Sequence, residues 1–132
     1  MSTTMPKQGE FCWNELLTSD ANQAKTFYKD LFGWEYQEND FGHGKYNMIT
    51  KSNGDSMSGG LMQIPAGMQG VPSHWMSYVT VEDLEQSVEK AKSLGATIKV
   101  PIMAVGDFGR LAIIIDPTGA HLGLWQCLKS CG

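Results

Sequence analysis

Phe11 to Leu17 is a mostly apolar run, short enough for a buried strand. Helical spacing takes over after it. Ala24, Phe27, Tyr28 and Leu31 fall on one face, Asp20 with Gln23 three residues on reads as a capped start, and Gly33 suits a helix end. Trp34–Glu38 and Lys45–Lys51 read as strands around a loop at residues 39–44, and Ser52–Asp55 reads as a turn. Ser58–Met62 reads as a fourth strand, with Gly59 and Gly60 open to a close neighbour.

The pattern then returns. Trp75–Val81 reads as a strand. Asp83 with Gln86 caps a helix whose apolar stripe is Leu84, Val88, Ala91 and Leu94, ended by Gly95. Strands are expected at Thr97–Val105, Arg110–Asp116 and Ala120–Cys127, with turns at Gly106–Gly109 and Asp116–Gly119. Asp20 precedes Gly33, and Glu82 precedes Gly95, by the same thirteen residues, and each stretch opens near a tryptophan, Trp13 and Trp75. A repeat of this length indicates two copies of one supersecondary unit.

The predicted organisation is α+β: two tandem βαβββ modules, each curling into a half-barrel, around a shared cavity. The expected boundaries are an N-terminal tail at 1–8, modules at 9–64 and 74–127, a linker at 65–73 and a tail at 128–132. A doubly wound sheet is excluded, because it needs more alternating helices.

The net charge of −4 argues against non-specific nucleic-acid binding, and no apolar run is long enough to span a membrane. The opening residues lack a signal-peptide core. Three cysteines without a zinc-type pair fit a reducing, cytoplasmic setting, with Cys12 and Cys127 as small apolar fillers.

Trp13-Asn14-Glu15-Leu16 with Asp20, Phe27-Tyr28 and Leu31-Phe32-Gly33-Trp34 form one group of motifs. Val81-Glu82-Asp83, Gly95-Ala96, Asp116-Pro117-x-Gly119-Ala120 and Leu124-Trp125-Gln126 form the other. Together they resemble the vicinal oxygen chelate (VOC) superfamily of glyoxalase I, bleomycin-resistance proteins and extradiol dioxygenases, in a generic bacterial glyoxalase-like branch. The resemblance covers residues 9–127. It implies cavity-facing metal ligands on the first and fourth strands of each module. Carried over, these positions fall on Trp13, on Gly60–Met62, on Met76 (or Trp75 if the register slips by one) and on Gly123. None offers the imidazole or carboxylate that a divalent ion needs. The expectation is therefore no metal and no cofactor, a displaced chelate of Glu15, His121, His74 and His43 being the alternative.

What remains is a small-molecule pocket lined by Trp13, Tyr46, Met76, Tyr78, Phe108, Arg110, His121 and Trp125, with Met48 adding to the wall. Glu15, a charge inside an apolar strand, is the candidate general base or ligand anchor; a structural ion pair with Arg110 is the competing reading. Three functions follow: a metal-free binder of a small apolar or aromatic molecule, an enzyme of the same fold acting through Glu15 or a non-standard metal site, or a partner-binding module whose cleft is filled by its own side chains. The expected partner is a small molecule, with neither nucleic acid nor membrane, and the family resemblance allows a homodimer.

Overall fold

The computed structural model describes residues 7–40, 45–51, 54, 56–64 and 71–128. His43 and the centre of the expected linker lie outside the described residues. The order is β1 (Phe11–Thr18), α1 (Ala21–Phe32), β2 (Glu35–Asp40), β3 (Lys45–Thr50), β4 (Ser56–Gln63), then β5 (His74–Thr80), α2 (Leu84–Ser93), β6 (Thr97–Val105), β7 (Gly109–Ile115) and β8 (His121–Cys127). This is βαβββ twice, in an α+β fold with eight strands and two helices among the described residues. No described helix is long and apolar enough to cross a membrane.

The chain divides into two compact units. One runs from Trp13 to Met76; the other takes in the residues before it and those from Ser77 on. In the first unit the strands lie in the order β2-β3-β4-β1, with β1 parallel to β4. In the second the order is β6-β7-β8-β5, with β5 parallel to β8. The remaining ladders are antiparallel hairpins. The loop expected at 39–44 starts later, because Asn39 and Asp40 pair with Tyr46 and Lys45 and so lengthen β2.

Both helices begin as the sequence indicates. Asp20 accepts from the Gln23 N–H and Asp83 from the Gln86 N–H, each at 3.0 Å. Gly33 and Gly95 both take positive φ, 79° and 102°. The true counterpart of Asp20 is thus Asp83, not Glu82. Register agrees, since Glu15↔Gly60 recurs as Tyr78↔Gly123, both partners displaced by 63 positions. Met76, not Trp75, therefore corresponds to Trp13.

α2 closes the core of the second unit by setting Leu84 and Val88 on Val81, Ala112, Ile114 and Leu124. The buried apolar residues of the first unit are Leu16, Leu17, Ile49, Leu61 and Met76. α1 contributes no buried residue.

Candidate functional site

Side chains alternate across a strand, so β1 sends Leu16 and Thr18 to one face and Trp13, Glu15 and Leu17 to the other. Leu16 and Thr18 meet Ala24, Phe27 and Tyr28 in a hollow of about 280 Å³ beside α1. Trp13, Glu15 and Leu17 consequently point away from that helix. Pairing sets Gly60 opposite Glu15, Met48 opposite Gly60 and Tyr46 opposite Met62, so these residues share the face of Glu15.

Gly60 makes the central arrangement possible. A Cβ built there would run into the ring and hydroxyl of Tyr46. Without one, the Tyr46 ring lies across β4 and its hydroxyl reaches β1. Trp13 Nε1 donates to Tyr46 Oη at 2.7 Å, and Tyr46 Oη donates to Glu15 Oε1 at 2.9 Å. An indole N–H can only donate, so the tyrosine proton is directed at the carboxylate. Glu15 is 7% exposed, while Trp13, Tyr46, Met48 and Met62 are half-buried around it. The result is one acceptor carboxylate inside an aromatic and thioether wall.

The second unit repeats the backbone and changes the chemistry. Tyr78 stands where Glu15 stands, and its ring covers Gly123 as Tyr46 covers Gly60. The rings of Trp125 lie over Gly109. Met76, the last residue of the first unit, is buried. In the second unit His121 is exposed at the start of β8, and Phe108 is exposed in the turn before β7. Arg110 lies in register between Gly109 and Leu111 and so points to the α2 side. It donates to Glu85 Oε1 at 2.8 Å and to Gln126 Oε1 at 3.1 Å. Glu85 is its carboxylate partner, and the hydrogen bond and charge of Arg110 hold the Glu85 carboxyl below its ordinary range. Of the residues singled out in the sequence, Trp13, Glu15 and Tyr46 are brought into one hydrogen-bonded chain. The role of Gly60 in that chain is written in the sequence only as a Gly-Gly pair.

His74 turns its Nδ1 to Pro72 O at 2.8 Å. Cys12 is a free thiol that donates to Tyr78 O at 3.6 Å, and burial pushes its pKa up, which suits a filler and not a nucleophile. Cys127 is half-buried at the end of β8.

Residues 11–124 match the Glyoxalase/Bleomycin resistance protein/Dioxygenase superfamily, and the chain belongs to that family. It is 38% identical, over 97% of its length, to a Mycobacterium tuberculosis protein named "Putative glyoxylase CFP32", of which the match covers 51%. It is 26% identical over 89% of its length to "Anthracycline biosynthesis protein DnrV" of Streptomyces peucetius, covering 47% of that protein. The chain thus spans about half the length of the curated relatives it matches. Among solved structures, a methylmalonyl-CoA epimerase from Streptomyces coelicolor in complex with 2-nitronate-propionyl-CoA matches 93% of this chain and 100% of its own, with TM-score 0.63 and 13% identity. At that identity the likeness is one of fold.

Proposed function

We propose that the chain is a metal-free, glyoxalase-like member of its family that binds a small apolar or aromatic molecule on the Glu15 face of the first module. The observation that carries this reading is the Trp13–Tyr46–Glu15 chain over Gly60. The donor set does not fit the family's metal. The four carried-over positions hold Trp13, Gly60, Met76 and Gly123, and tyrosine rings fill the space above both glycines. Hard divalent ions want carboxylate or imidazole. The aromatic and methionine wall supplies flat and adaptable apolar surface, and Glu15 fixes the orientation of a polar group.

A second reading is kept by Glu15 itself. A buried carboxylate oriented by a hydroxyl can act as a general base, so the chain would be an isomerase or lyase of the same fold. Under this reading Glu15→Gln abolishes turnover while leaving fold and binding in place.

The test of the first reading combines elemental mass spectrometry with binding. The expected result is sub-stoichiometric metal and aromatic-probe binding that is unchanged by a chelator. That binding should quench indole fluorescence in the wild type and less in Trp13→Phe. Stoichiometric metal whose removal abolishes binding would overturn it.

A further inference from the structure

The two helices carry their apolar groups on different sides. Counted from the caps Asp20 and Asp83, α2 has Leu84 and Val88 at the first and fifth positions and buries both. α1 has Ala21 and Lys25 there. Its large apolar groups come later: Phe27 and Tyr28 stand at the seventh and eighth positions, where α2 has Lys90 and Ala91. Each helix position turns by about 100°, so Phe27 points about a third of a turn away from the side that Leu84 uses in α2. The hollow of about 280 Å³ lies on that side, between Leu16 of β1 and Ala24, Phe27 and Tyr28 of α1. It follows from where α1 carries its aromatic groups.

We propose that this hollow is a second ligand site, on the face of the first-module sheet opposite Glu15 and independent of the Glu15 reading. It takes an uncharged compound of one aromatic ring bearing a hydrogen-bond acceptor. Volume sets the ring. A dry apolar cavity of about 150 Å³ holds benzene, and 280 Å³ leaves room for one ring with a short substituent. Leu16, Ala24, Phe27 and Tyr28 give that ring apolar and aromatic surface. The other wall sets the substituent. Ser73 Oγ accepts from Ser19 N at 3.0 Å and donates to Ser19 Oγ at 3.4 Å. A hydroxyl has one donor and two acceptor sites, so this pair leaves the Ser19 proton for an acceptor on the ligand. Charge sets what is refused. Asp20 is the one charged residue among the described residues of the lining, and its carboxylate caps Gln23 N. An anionic substituent would lie beside that carboxylate with no Lys or Arg in the lining to offset it.

The experiment is a methyl-detected NMR titration of the full chain with acetophenone and with benzoate, which match in ring and size and differ in charge. The Leu16 and Ala24 methyls report the hollow, and the Met48 and Met62 methyls report the Glu15 face. Acetophenone is expected to shift Leu16 and Ala24 saturably, and benzoate to bind there weaker by about tenfold or more. Ser19→Ala, at an exposed position, should weaken acetophenone by about fivefold, the size of one neutral hydrogen bond. Ala24→Phe fills the hollow and should abolish the Leu16 response, with the amide spectrum of the second module as the check on folding. No saturable shift at Leu16 and Ala24, equal binding of benzoate, or unchanged affinity in Ser19→Ala would overturn the proposal. Acetophenone shifting Met48 and Met62 alone would also overturn it, and would leave the Glu15 reading standing.

Discussion

The two modules share a backbone and differ in how they finish it. Both helices are capped by the same Asp–Gln chemistry, and both fourth strands carry a glycine covered by a tyrosine ring. In the second module α2 completes a core, with Leu84 at 0% exposure and Val88 beside it. In the first, α1 buries none of its residues, and Phe27, Leu31 and Phe32 stay exposed. Its aromatic face is instead organised sideways. Tyr28 stacks on Trp34 at 5.1 Å and meets Phe27 and Trp75 edge-on. Beneath, Asn47 donates to Leu61 O while its buried Oδ1 has no hydrogen-bond partner among the described residues. One module is built for packing; the other keeps polar groups inside its sheet, and it is the one with the carboxylate.

The largest test of this contrast is a matched pair of helix truncations. Leu84→Ala removes a fully enclosed side chain and should cost about 2–5 kcal/mol. Leu31→Ala, at 57% exposure, should stay within about 0.5 kcal/mol. Urea denaturation of both variants reads the difference. Equal costs would mean that the apolar face of α1 is covered in solution, and the asymmetry would collapse.

The glycine hollows give the next contrast. Gly123→Ala must move Tyr78, which is only 4% exposed and held in the second module. Overpacking of that kind costs about 1–3 kcal/mol. Gly60→Ala meets the half-buried Tyr46 ring, which can swing toward solvent, but that movement also breaks the bond to the buried Glu15 carboxylate, so its cost should likewise be about 1–3 kcal/mol. Its signature is different: displacing Tyr46 also breaks the bond to Trp13, so indole emission should shift. A Gly60→Ala variant with unaltered emission would show that the ring does not depend on the hollow.

Much of this was legible in the residues. Caps, glycine stops and the strand–helix order followed from Asp20, Asp83, Gly33 and Gly95, because local chemistry sets them. The pairing of Trp13 with Trp75 misled by one position, since a repeat of residue names is weaker than a repeat of register. Arg110 could not be assigned a face from sequence. Side-chain direction in a strand flips with each residue, and only the pairing of β7 with β8 shows that it meets Glu85. The Tyr46–Glu15 bond joins residues 31 apart and passes over a third strand. Nothing local in either segment encodes that contact.

The smallest expected effect concerns pH, and both groups involved lie in the second module. Asp116 closes the turn before β8 by accepting from Thr118 Oγ1 at 2.6 Å, Thr118 N at 2.8 Å and Ala120 N at 3.1 Å. These bonds, that of the Thr118 hydroxyl first, hold its carboxyl below the ordinary range, as Arg110 does for Glu85. A depressed folded pKa means that the unfolded chain binds the proton more readily. The stabilisation is therefore fully present above the unfolded carboxylate value of about 4, and it is lost as pH falls through the lower folded value. Asp116→Asn should be less stable than wild type near neutrality, and the two denaturation midpoints should converge on acidification. Midpoints that stay parallel down to about pH 3 would mean that the turn's hydrogen bonds stabilise the fold without linkage to this proton. Glu85→Gln should converge in the same sense but by less, because its exposed pair with Arg110 is screened by water and salt.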